Sequence, residues 1–200
     1  MNHAHAVRAA GLLIAAVSFL APAGCIGPQP RPPPDEGRWA RVRDRATRVG
    51  KLYDRLATNA FASAVYQSRE VREARVDRLA EWEALTRQER DAMLARERDE
   101  AARYEDFLVT LFTPDRASND LDAAHSVWRV ALVVPGRSGE ADWLPESIHL
   151  VKVDAMLREL YPNIGNFDYV YAVRFARRAP LQGPFVLRLA GALGRLDFEY

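Results

Sequence analysis

The spacing of apolar residues changes period once along this chain, near residue 104, and that change restricts the fold more than any other feature. From Asp35 to Tyr104 the pattern is helical. Trp39, Val42, Val49, Leu52, Tyr53, Leu56 and Ala60 recur at threes and fours, which places them on one face of a helix that Asp35 would cap. A second series runs Val71, Ala74, Leu79, Trp82, Leu85. Thr86-Arg87-Gln88-Glu89 then reads as a capping box, with Thr86 serving the amide three residues on and Glu89 reaching back. The helix it opens continues through Met93, Leu94, Glu97 and Ala101, and a short helix is expected around Phe61–Gln67.

Beyond Tyr104 the period is that of strands. Phe107 to Phe112 is apolar on both faces, as a central strand would be. Val127–Val134, Ser147–Val153, Tyr169–Phe175, Phe185–Leu189 and Arg195–Tyr200 follow, with a short helix over Ala155–Leu160. In the last strand Leu196, Phe198 and Tyr200 alternate with Arg195, Asp197 and Glu199, and a Gly191–Gly194 turn folds it onto the strand before. The expected fold is therefore α+β: N-terminal helices at about 36–104 packed with a C-terminal antiparallel sheet or sandwich of about six strands. Residues 35–200 would form one domain, helical over 35–104 and β-rich over 105–200.

The residues ahead of this domain have another character. Pro28-Gln29-Pro30-Arg31-Pro32-Pro33-Pro34 holds five prolines in seven residues. It cannot enter a helix or sheet interior and favours polyproline II. Before it, Arg8 precedes an apolar run from Ala9 to Leu20, and Ala23-Gly24-Cys25 closes the stretch on the only cysteine of the chain. Basic start, apolar core and small residues at a cleavage point make a secretory signal. With its cysteine at that point, the stretch resembles the signal of bacterial lipoproteins. The resemblance implies a signal peptide over 1–24, a diacylglycerol- and palmitate-bearing Cys25 as the first mature residue, and a tether over 25–34. It further implies the outer membrane, because Ile26 rather than Asp follows the cysteine. A plain secretory signal and an uncleaved anchor are the alternatives, although a span needs roughly 20 apolar residues and Pro22 ends this run early.

Arg8 is the only charged side chain before Cys25, so the remainder carries 27 basic and 27 acidic residues. That balance argues against nucleic acid as a partner. Residues 38–55 hold seven basic and two acidic side chains, and a solvated helix face explains them better than a membrane-surface helix. After Cys25 only His125 and His149 remain as histidines, so no Cys/His metal site is expected and no cofactor is implied. Asp115, Asn119, Asp120 and Asp122 are candidate calcium ligands between two strands, in competition with turn formation. Trp143, in a loop of polar and small residues, is a candidate partner contact if exposed. Ser126 and His125 offer the paper outline of a nucleophile and base, and Glu146, Asp154 and Asp168 are the carboxylates a glycan hydrolase would use.

These features point to a lipid-anchored cell-envelope protein, not an enzyme, that binds or assembles with other envelope proteins. A small-ligand or lipid carrier with an apolar pocket and a cell-wall hydrolase are the alternatives. The anchor is checked first: Cys25→Ser should abolish lipidation and either block signal cleavage or release the protein in soluble form. Unchanged size and membrane retention on fractionation would refute the lipidated cysteine.

Overall fold

The first structural surprise lies at residues 47–66, which form a β-hairpin. The structure, a computed structural model, describes residues 37–134, 143–178, 181 and 183–200. The signal stretch, Cys25, the proline tether, the Asp35 cap and the loop before Trp143 lie outside the described residues. Helix α1 (Gly37–Ala46) leads into β1 (Thr47–Asp54) and β2 (Ala57–Tyr66), then α2 (Arg69–Trp82) and α3 (Arg87–Arg103). There follow β3 (Tyr104–Phe112), a 3₁₀ turn at Arg116–Ser118, β4 (Trp128–Val133), β5 (Ser147–Leu150), α4 (Ala155–Leu160), β6 (Tyr169–Ala176), β7 (Val186–Gly191) and β8 (Gly194–Glu199). Among the described residues no helix is long and apolar enough to cross a membrane.

The α+β class is as expected, with eight strands among the described residues rather than about six, and the helices are not all N-terminal. One antiparallel sheet (sheet A) has the order β1-β2-β3-β6-β5 and the other (sheet B) β4-β7-β8. Neighbouring residues of the central strands serve different cores. Ala60, Ala62, Ala64, Phe107, Val109, Leu111, Tyr171, Val173 and Phe175 face sheet B, meeting Trp128, Val130, Leu132, Leu187, Leu189, Leu196 and Phe198. Val65, Leu108 and Val170 face the helices, meeting Trp39, Val42, Val71, Ala74, Leu160 and Tyr161. Sheet A thus has sheet B on one face and a helical layer on the other.

The helical expectation for 47–66 fails because that segment carries two periods at once. Val49, Leu52, Tyr53, Leu56 and Ala60 fit a helix, but Ala60, Ala62 and Ala64 also alternate, and all three are buried toward sheet B. Against four alanines the segment carries Gly50, Thr47, Thr58, Val49, Val65, Tyr53, Phe61 and Tyr66, which cost a helix and, Gly50 apart, suit a pleated surface. Gly50 settles the matter: a Cβ there would lie 2.8 Å from Leu196 Cδ2 and 3.3 Å from Phe198 Cε1. β1 therefore crosses β8 so closely that a side chain at this position would have to displace the Leu196 side chain, and the missing side chain that weakens a helix lets the two strands approach. The turn at Arg55-Leu56 puts Arg55 at a φ of 54°.

The other helices follow their sequence signals. Ser68 caps α2 by accepting from Val71 N (3.3 Å). Thr86 and Glu89 exchange the reciprocal bonds of a capping box at α3, Glu89 N to Thr86 Oγ1 at 3.3 Å and Thr86 N to Glu89 Oε2 at 2.8 Å. Asp154 caps α4 through Leu157 N at 2.7 Å. The terminal hairpin pairs Leu187 with Phe198 and Leu189 with Leu196, and Phe198 is 1% exposed. Replacing it with alanine should cost about 3–5 kcal/mol, whereas Glu199→Ala, on the exposed side of the strand, should cost under about 0.5 kcal/mol. Denaturant melts of the two variants check this; equal tolerance would mean that β8 contributes nothing to stability.

Candidate functional site

Two arginines three residues apart on α2, Arg72 and Arg75, and two glutamates three residues apart on α3, Glu97 and Glu100, lie on helix faces that meet above sheet A. Spacing of three puts each pair on one side of its helix. The sheet answers with Asp106 of β3 and Arg174 of β6, which are register partners. The six charges alternate along a ladder. Arg75 Nη2 donates to Glu97 Oε1 (2.9 Å) and Arg72 Nη1 to Glu97 Oε2 (2.9 Å). Arg72 Nη2 donates to Asp106 Oδ2 (2.5 Å), and Arg174 grips Asp106 through Nε (2.9 Å) and Nη2 (2.8 Å). Arg174 Nη2 also reaches Glu100 Oε2 at 2.6 Å, and Glu100 Oε1 accepts from Arg103 at 2.7 Å. The Arg174 guanidinium lies over the Tyr104 ring, 4.1 Å from its centroid.

Arg72 is the most deeply placed member, with its side chain 5% exposed and its Nε donating to the Gln67 carbonyl at 2.9 Å. Gln67 Oε1 accepts from Arg75 Nη1 (2.8 Å) and Tyr161 Oη (3.1 Å). Burial pushes the Glu97 carboxyl up, but the charges and hydrogen bonds of Arg75 and Arg72 outweigh it, and its pKa falls below the ordinary 4.5. The ladder walls a groove of about 430 Å³. Its lining adds Leu108 of β3, Ser147 and His149 of β5, Leu157 of α4 and Ala172 of β6. Such a volume is within the range of small-molecule sites.

A second buried acid is satisfied in the same way. Glu105, 2% exposed, accepts from Tyr66 Oη (2.6 Å) and Arg177 Nε (2.6 Å). Burial and then the Glu105 carboxylate push the Tyr66 phenol well above its usual range. Neither acid has a free oxygen with which to act on a substrate proton.

The residues singled out from sequence are placed elsewhere. Trp143 is 6% exposed, so it is not a surface anchor. Its carbonyl accepts from Leu132 N (2.9 Å), its indole N–H donates to Ala176 O (3.0 Å), and it seals the edge of β4 against Phe175. The candidate calcium ligands build the turn after β3. Asp115 accepts from Ala117 N and Ser118 Oγ, Asn119 exchanges bonds with the Thr113 backbone, and Asp120 accepts from Ser126 Oγ (2.9 Å) and Val127 N (3.0 Å). Asp122 stands exposed beside them. Among the described residues no three His, Cys, Asp or Glu side chains gather to hold a metal. The Ser126 hydroxyl is directed to Asp120, and His125 is exposed. Asp154 and Asp168 bond the backbone amides of Leu157 and Gly165. In α1, Arg38, Arg43 and Arg45 pair with Asp77, Asp44 and Glu70.

The sequence matches no protein-family model, and neither a curated protein nor a solved structure matches it.

The ladder has a pH signature. Because the Glu97 carboxyl is depressed in the fold, the unfolded chain takes up its proton first as pH falls. The stabilisation from Glu97 is complete above about pH 4.5 and is lost as pH drops through the lower folded value. Glu97→Gln should therefore reduce the acid-side fall of the thermal midpoint. At neutral pH it should destabilise toward the lower end of the ~3–5 kcal/mol typical of breaking a buried pair, since Glu97 is still 23% exposed. Calorimetry of both proteins between pH 3 and 7 checks this; parallel profiles would exclude the ladder as a source of stability.

Proposed function

We propose that this is a lipid-anchored cell-envelope protein, held at the outer membrane by lipid on Cys25, whose domain binds other envelope components and catalyses nothing. The observation that carries the reading is the β1–β2 hairpin. Leu56 at its turn is fully exposed, with Tyr53 57% and Val49 67% exposed on the strand leading to it. Tyr53 packs edge-on against Phe61, which stacks beside Phe112, so a row of aromatic rings crosses three strands, with the Lys51 ammonium 5.8 Å from the Phe61 ring centroid. Contiguous apolar surface at the end of an ordered hairpin is the mark of an interaction site. The hairpin replaces Trp143 as the expected partner contact. The carboxylates of the groove weigh against a hydrolase, since each already accepts guanidinium protons and a general acid needs one free to give.

The test is retention of partners from solubilised membranes by the full-length protein and by Leu56→Glu, which alters an exposed turn and leaves the core intact. A protein retained by the wild type and lost from Leu56→Glu, at equal thermal midpoint, is the expected outcome. Identical retention by both would exclude the hairpin. A second reading, a small-ligand carrier, is favoured by the 430 Å³ groove; its charged wall suits a polar ligand better than a lipid chain.

A further inference from the structure

We propose, on the carrier reading above, that the groove between the helices and sheet A takes a small organic monocarboxylate with a compact apolar body. The ladder is neutral in charge, three guanidinium groups against three carboxylates, but it is lopsided in hydrogen-bonding capacity. Both oxygens of Glu97, of Glu100 and of Asp106 already accept from arginine, and Gln67 Oε1 accepts twice. Donors are left over. Among the described residues, Arg174 bonds through Nε and Nη2 and has no partner at Nη1, and Arg75 bonds through Nη1 and Nη2 and has none at Nε. Both residues line the groove, as does Ser147, whose hydroxyl makes no bond.

A ligand entering here meets uncommitted guanidinium N–H groups, while Ser147 and His149 can each donate or accept, so a ligand that brings acceptors of its own is the best match. Guanidinium N–H groups are best matched by a planar carboxylate. On a wall with no surplus positive charge each negative charge of the ligand carries a desolvation cost, which a monocarboxylate meets once and a dicarboxylate twice. An ammonium would have to compete with arginine for carboxylate oxygens that each already accept a guanidinium proton. Leu108, Leu157 and Ala172 supply apolar lining for the remainder of the molecule. Ala172 is itself exposed on the helix-facing side of β6, so the floor at that point is open to whatever binds.

The experiment uses the full-length protein in detergent micelles at pH 7 and three water-soluble probes that share one ring: phenylacetate, phenylacetamide and 2-phenylethylamine. Calorimetric titration should give saturable binding of phenylacetate, at least about tenfold tighter than the amide, and none of the amine. Arg174→Gln should weaken phenylacetate by at least about tenfold. Because that change also cuts the ladder, Ala172→Phe supplies the independent check. It fills the floor from an exposed strand position that tolerates an aromatic, and it should abolish binding with the thermal midpoint unchanged. Equal affinity for acid and amide, or full binding by Ala172→Phe, overturns the proposal. Absence of phenylacetate binding also overturns it. The envelope-binding reading then stands or falls separately on the Leu56→Glu retention experiment.

Discussion

Strand β3 is buried on both faces, and the other elements are arranged to keep it so. Phe107, Val109 and Leu111 look into the sandwich, while Leu108 and Thr110 look toward the helices. A strand with two apolar faces needs two covering layers, and sheet B and the helices are those layers. The position of Asp106 follows from the same constraint. It stands on the helical side of β3 at the upper end of the strand, where a lone carboxylate would be costly unless cations met it. Arg72 and Arg174 meet it from two different elements.

α1, α2 and α4 are held to sheet A by an apolar core, but α3 is positioned by that polar match more than by apolar contact. α3 runs for 17 residues yet buries only Leu94 and Ala101. Its inner face carries Glu97 and Glu100, and the layer beneath carries guanidinium groups. An ion network of this sort adds little net stability, because desolvation offsets much of the attraction. It is intolerant of misplacement, however, since a shift of one helical turn would leave several charges buried without partners. The groove exists because charged side chains do not close against the sheet as leucines would.

Elements dominated by one signal were legible in the sequence. The capping box at Thr86, the terminal hairpin and the central position of Phe107–Phe112 are local signals that the fold did not need to modify. Residues 47–66 were not legible as strands, because the decisive contact, Gly50 against Leu196 and Phe198, joins residues about 150 positions apart. The ladder was half legible: the Arg72/Arg75 and Glu97/Glu100 spacings put each pair on one helix face, and Asp106 stands immediately ahead of the apolar run Phe107–Phe112. What no spacing reveals is that those faces and that strand converge. Trp143 was misplaced for the opposite reason. Its surroundings in sequence are polar, but an indole can close a sheet edge from a loop.

The meeting of β1 with β8 joins distant parts of the chain. Arg48 Nε donates to the Glu199 carbonyl at 2.6 Å, tying β1 to the far end of β8. The two strands belong to different sheets, so this contact links the two layers of the sandwich across about 150 positions of sequence. Contacts of such separation form slowly. The face of sheet A that β8 covers is therefore closed by one of the least local contacts of the fold, and Gly50 is a point of close approach between the two strands.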